Sequence, residues 1–378
     1  MTVDGGENAN HQVFISSFGK SPAKSGNKKG LILKRLSLIV FFVIAIAFTA
    51  YKVFNPGNSG DFKNPAESEG LTNKREEKKT DQAKPTVSQS GKQDSDKNKR
   101  SIEKKPGKEE EIPADVKAVK QKGYTVYKND KGCWEAKFDY GIKMVYIPAG
   151  KFTMGSEQGI SDEKPVHKVF LDGYWIGKYE VTFEQYDKYC EETGKKKPGD
   201  EGWGRGDRPV INVSWFDAVA YCQWLNKKTG LNFKLPTEAQ WEKAVRGTDG
   251  RTYPWGEGID KNKCNYNNNL GRTSPAGKFP AGASPYGCLD MAGNVWEWCA
   301  DWYNGNYYEK SPEINPKGPE LGDSRVLRGG GWNHDAHDCR ASFRLYYRPP
   351  SARWDDYGVR LSQGKKGPRA ANFREKKR

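Results

Sequence analysis

Hydrophobic patterning divides the chain into three regimes. Residues 36–54 are almost continuously apolar (Leu36-Ser37-Leu38-Ile39-Val40-Phe41-Phe42-Val43-Ile44-Ala45 onward), close to the roughly 20 residues needed to cross a bilayer as a helix. Residues 55–131 carry Lys, Glu, Ser, Gln, Gly and Pro with hardly an aromatic before Tyr124, a composition that cannot bury a core and predicts a disordered charged linker. From 132 to 363 apolar positions return in short groups. Tyr186, Tyr189 and Cys190 share one helical face, and Ala218, Tyr221, Cys222 and Leu225 share another, so both segments predict helices packed on a core. Thr182 with Gln185 and Thr237 with Gln240 form capping-box patterns, Ser214 with Asp217 a near version, and Gly194, Gly230 and Gly247 stand where the helices should stop. The remainder is rich in Gly, Pro, Asn and Trp, which predicts short strands and long ordered loops.

Charge sharpens this division. Residues 133–363 hold equal numbers of basic and acidic side chains, so the net charge of +15 belongs entirely to the flanks. All 12 Trp and all 7 Cys lie in this neutral segment, which is read as one globular domain with tails. Lys20, Lys24, Lys28, Lys29, Lys34 and Arg35 precede the apolar stretch, whereas only Lys52 and Lys63 follow closely. The positive-inside bias then predicts residues 1–35 as a basic cytoplasmic tail, 36–54 as a transmembrane signal anchor and the domain as periplasmic, lumenal or extracellular. A cleavable signal peptide ending near Ala45, Ala47 or Ala50 is the competing reading. Residues 364–378 form a basic tail without an aromatic pattern, so no nucleic-acid partner is expected.

Short sequence words follow one another along the domain. They are Ile147-Pro148-Ala149-Gly150, Glu180-Val181-Thr182, Pro209-Val210-Ile211-Asn212-Val213-Ser214-Trp215, Leu235-Pro236-Thr237-Glu238-Ala239-Gln240-Trp241-Glu242, Tyr253-Pro254-Trp255-Gly256, Leu289-Asp290-Met291-Ala292-Gly293-Asn294-Val295-Trp296-Glu297-Trp298, Arg328-Gly329-Gly330-Gly331-Trp332-Asn333-His334 and Tyr357-Gly358-Val359-Arg360. In this order the segment resembles the formylglycine-generating enzymes, or sulfatase-modifying factors. The resemblance implies an α+β fold with a C-type-lectin-like core, few helices, short strands and long ordered loops.

It also implies metal sites. A calcium ion would be held by Asp290, the carbonyls of Gly293 and Val295, and Glu297, hard oxygen donors around a tight turn. A second ion would map to Asn265, Tyr266, Asn268 and Leu270, with Asn268 in place of a carboxylate. The known oxidases convert a protein cysteine to formylglycine with oxygen and a copper(I) ion held by two cysteines five residues apart. Here Cys339 falls on the second of these positions, but His334 falls on the first and Gly331 replaces a serine. Cys339 and His334 are therefore the candidate catalytic residues, and these two with His337 the candidate ligands for copper or for another metal such as zinc or iron; a buried structural Cys339 beside solvent-facing loop histidines is the plainer reading. None of the cysteines forms a Cys-x-x-Cys pair, which argues against a zinc ribbon or thioredoxin-type motif.

Two functions stay open. One is a calcium-braced binding or scaffold domain, anchored in a membrane and meeting a protein or glycan partner outside the cytoplasm. The alternative is a formylglycine-generating oxidase, or a related metal-dependent oxidoreductase, acting through Cys339 and His334. Trp296, Trp298, Trp302 and Trp332 invite a glycan-platform reading, but their place inside the quoted words favours the core.

Overall fold

The computed structural model describes residues 111–364. The anchor, the tails and most of the expected linker lie outside the described residues. No helix among the described residues is long and apolar enough to cross a membrane.

Ordered chain begins earlier than the sequence reading placed it. The expected linker reached residue 131, but Ala114–Gln121 is a helix (α1) and Thr125–Lys128 a strand (β1). Val116 and Val119, three residues apart, are buried in the main core, and two apolar residues among lysines are enough to dock one helical turn. The strand β1 then pairs antiparallel with Trp134–Lys137 (β2).

The largest sheet has six strands. Beyond β1 and β2 come Lys143–Ile147 (β3), Tyr174–Gly177 (β6), Ser362–Gln363 (β11) and Phe233–Lys234 (β7), in the spatial order β1-β2-β3-β6-β11-β7. The last strand thus slots between two earlier ones, with Ser362 facing Ile176 on one side and Lys234 on the other. In β3, Met144 and Tyr146 enter one apolar cluster and Val145 and Ile147 the other. Successive side chains of a strand point to opposite faces, so a strand buried on both reads as an unbroken apolar run. Gly150–Met154 (β4) and His167–Leu171 (β5) make a separate ribbon, and Trp296–Trp302 (β8) lies between Arg325–Arg328 (β9) and Tyr357–Gly358 (β10).

Three further helices cover the sheets: Phe183–Thr193 (α2), Trp215–Thr229 (α3) and Glu238–Arg246 (α4). Each has the capping box expected from sequence, including Ser214 with Asp217, and each ends at its glycine with φ near +68°. The aromatic faces of α2 and α3 meet where Tyr186 stacks on Tyr221, with ring centroids 5.3 Å apart. Trp296 and Trp298 are fully buried core residues. Trp302 and Trp332 are half-buried; Trp302 lies against the Arg325 guanidinium and Trp332 meets Trp203 edge-on. The architecture is the mixed α+β fold with few helices, small sheets and long ordered loops.

Candidate functional site

The turn before β8 organises the site. Asp290, Gly293 and Asn294 all adopt positive φ (55°, 78° and 68°), which folds residues 290–294 tightly enough for Asn294 to bond in several directions. Its backbone N–H donates to the Asn265 carbonyl (2.7 Å) and its carbonyl accepts from Trp332 (2.9 Å). Its side-chain oxygen accepts from the Ser274 N–H (2.8 Å), and its amide donates to the Glu180 carboxylate (2.9 Å). Gly293 donates to the Gly329 carbonyl (2.8 Å). Thus one Gly-Asn step fastens three loops to the sheet.

Beneath it, Glu297 is fully buried and accepts three hydrogen bonds: from Arg360 Nη2 (2.6 Å), Arg360 Nε (2.7 Å) and Trp241 Nε1 (2.6 Å). Arg360 also donates to the carbonyls of Gly177 and Leu289. Glu180 and Asp290 lie close by, so three carboxylates share one guanidinium. Burial, reinforced by Glu297, pushes the Asp290 carboxyl up to about 6 despite the Gly277 N–H and Arg360. Burial, then the charges of Asp290 and Glu297, hold Glu180 well above the usual carboxylate range. Sequence reasoning missed Glu180, although it stands in one of the quoted words.

These groups bear on the expected calcium ligands. Asp290 gives one oxygen to the Gly277 N–H (2.5 Å), and Glu297 keeps one lone-pair direction beyond Arg360 and Trp241. The surplus of buried negative charge suits a divalent cation. At the second expected position, Asn265 is buried with its amide donating to the Arg272 carbonyl (2.9 Å), while its side-chain oxygen is buried without a partner. An orphaned oxygen of this kind suits a cation. The Tyr266 and Asn268 carbonyls already accept from Asn269 and Gly271 (2.9 and 3.1 Å) within their own turn, and Leu270 is exposed.

The copper candidates are arranged differently. The His334 ring lies between two carboxylates, with Nδ1 2.7 Å from Asp338 Oδ2 and Nε2 3.1 Å from Asp356 Oδ2. Burial alone would lower its pKa, but the two carboxylates outweigh it and raise the imidazole to about 9. An imidazolium donates from both nitrogens and has no lone pair for a metal. The Cys339 thiol is sealed inside the fold, where burial pushes it well above its usual range, away from the thiolate that metals bind. The His337 Nε2 lies 3.0 Å from an Arg340 N–H. Asp335, His337 and Asp338 could offer ligand atoms within 4.8 Å of one another, but the positive Arg340 beside them opposes a cation and Asp335 already accepts from the N–H groups of His337 and Asp338. His334 therefore stands in this structure as a hydrogen-bonding partner of Asp338 and Asp356. The expectation missed Asp356, whose carboxylate faces the ring from just before a quoted word.

Comparison with known proteins agrees with this frame. The sulfatase-modifying factor enzyme 1-like domain matches residues 135–364. The chain belongs to that family. A formylglycine-generating enzyme of Thermomonospora curvata is 32% identical over 270 residues, which cover 54% of this chain and 86% of that protein. A serine/threonine-protein kinase pkn1 of Chlamydia caviae is 37% identical over 249 residues, covering 59% of this chain but 38% of the kinase; the chain spans about two-fifths of the length of that relative. Among solved structures, PvdO from Pseudomonas aeruginosa superposes with a TM-score of 0.55 at 29% identity, covering 63% of this chain and 97% of that one.

Proposed function

We propose that this chain is a member of the family without copper oxidase chemistry, a calcium-braced binding or scaffold domain held on a membrane anchor at residues 36–54 and facing a protein or glycan partner outside the cytoplasm. The observation that carries this reading is His334: at the position that the resemblance assigns to a copper-binding cysteine stands an imidazole within hydrogen-bond distance of both Asp338 and Asp356. One sealed thiol at Cys339 does not by itself make a copper(I) site that also admits a substrate thiol. Asp290, Glu297, the Gly293 and Val295 carbonyls and, in addition, Glu180 would hold calcium. The ion would neutralise the buried acids and fix the turn; it would supply no redox chemistry.

A recognition face is available on this reading. Phe216, Tyr347 and Trp354 are exposed by 56%, 75% and 58%, unusual for side chains of their size. The loop bearing Tyr347 and Trp354 is pinned beside the start of α3 by hydrogen bonds from Trp215 N–H to the Pro350 carbonyl and from Asn212 N–H to the Trp354 carbonyl. Aromatic side chains are enriched among the residues that anchor partners.

The deciding experiment is mass spectrometry of a Cys-x-Pro-x-Arg peptide incubated with the purified chain, copper and oxygen, beside Cys339→Ala. The expected result is an unmodified peptide. Conversion that depends on Cys339 would overturn the proposal and establish the alternative, a one-cysteine formylglycine-generating oxidase. The similarity to proteins named formylglycine-generating enzyme supports that alternative.

A further inference from the structure

The cysteine spacings give no hint of pairing, yet the fold brings two distant thiols into one small cluster. Cys264 and Cys339 are both buried beside Tyr253 and Ala292. The backbone shows how. Cys339 Sγ lies so close to Gly330 that a Cβ there would be 2.6 Å from the sulfur. The adjoining Gly329 carbonyl accepts from Gly293 (2.8 Å), and on the other side of Gly293 the Asn265 carbonyl is packed so tightly that a Cβ would meet it at 2.2 Å. Cys264 directly precedes Asn265. Tyr253 closes the cluster and stacks on Trp255, with centroids 5.7 Å apart and ring planes within 9°.

We propose that Cys264 and Cys339 are a disulfide-forming pair that ties the Asn265 loop to the loop carrying residues 329–339. A low-molecular-weight disulfide such as oxidised glutathione supplies the oxidant. One cysteine thiolate attacks it, breaking its S–S bond and releasing one small thiol; the second cysteine thiolate then attacks the mixed disulfide and releases the other. The protein loses two S–H bonds and gains one S–S bond, and two electrons and two protons pass to the oxidant. Because both thiols are buried out of reach of an external disulfide in the closed fold, closure belongs to the stage at which these loops are open. The bond would also give Cys339 a role that needs no copper, and it is read out separately from oxidase activity.

Trypsin offers a direct test, since cleavage after Lys263, Arg272, Arg328 and Arg340 releases peptides 264–272 and 329–340, each with one cysteine. The purified full chain is treated with oxidised glutathione in sub-denaturing urea at pH 8.5, returned to buffer, alkylated and digested beside a reduced sample. The expected product is the two peptides joined, two hydrogens lighter than their sum and absent after reduction. The oxidised chain should melt several degrees higher than the reduced chain, an increment lost in Cys264→Ala. Recovery of both peptides singly alkylated, or either joined to a different cysteine, overturns the pairing. The peptide map comes from the unaltered chain, so the test of pairing stands whether or not the variant folds.

Discussion

His334 sits between two carboxylates. Its carboxylate partners raise the imidazole from its ordinary value near 6.5 to about 9, so the folded state holds a proton that the unfolded chain releases. Stability from this ion pair is therefore complete below about pH 6.5 and is lost as the pH rises through about 9. The melting-temperature gap between the wild type and His334→Gln should be widest near pH 6 and nearly closed by pH 10, and the imidazole nitrogens should titrate near 9 by NMR. A midpoint near 6.5, or a gap that does not change with pH, would remove the ion-pair account. The neighbours that matter here were hard to read in advance. The position and identity of residue 334 were legible, and Asp338 lies only four residues on in the same loop, but Asp356 reaches the ring only after a second segment has folded against that loop, and no spacing in the sequence encodes that approach. Glu180 was hidden for the same reason: it lies far along the chain from Asn294, its hydrogen-bond donor.

At the scale of elements, the local signals were the most readable. Capping boxes and terminal glycines act within a few residues, so α2, α3 and α4 could be placed from sequence, and Thr182→Ala should cost about 1 kcal/mol in chemical denaturation. Long-range charge pairing was less legible, although the quoted words contain much of it. On α4, Glu238 receives Arg344 through two hydrogen bonds (2.7 and 2.9 Å), while Glu242 receives Arg328 and Arg246, all buried. Burial would raise the Glu238 pKa, but Arg344 and Arg328 reverse it and hold the carboxyl below its ordinary value. Arg344→Met should destabilise by about 3–5 kcal/mol, because it strands a buried carboxylate, whereas Glu238→Leu with Arg344→Met should recover much of that loss. Equal losses in the single and double variants would show that Arg344 acts by packing alone. The helix α1 was missed because two valines among lysines are a weak periodic signal. Removing residues 1–132 should lower the melting temperature of the domain relative to removing residues 1–110, since it strips Val116 and Val119 from the core and leaves β2 as an edge.

For the molecule as a whole, the central question is what keeps loops this long in one conformation. Backbone bonds around Asn294 fasten the Asn265, Ser274 and Trp332 segments to a single turn, but that turn rests on Glu180, Asp290 and Glu297 with Arg360 as their one cationic partner among the described residues. Two negative charges in excess, buried together, favour either protonation or a bound divalent cation. Calcium accepts irregular oxygen shells, whereas magnesium demands a near-octahedral one, and carbonyls with carboxylates around a tight turn match the former. Millimolar calcium should therefore raise the melting temperature of the full chain by several degrees, chelation should reverse the rise, and magnesium should produce much less. Asp290→Ala should abolish the calcium increment, because it removes one of the ligand oxygens. Protection by calcium that survives in Asp290→Ala would place the ion elsewhere, and no protection in the wild type would mean that protons and Arg360 alone stabilise the turn.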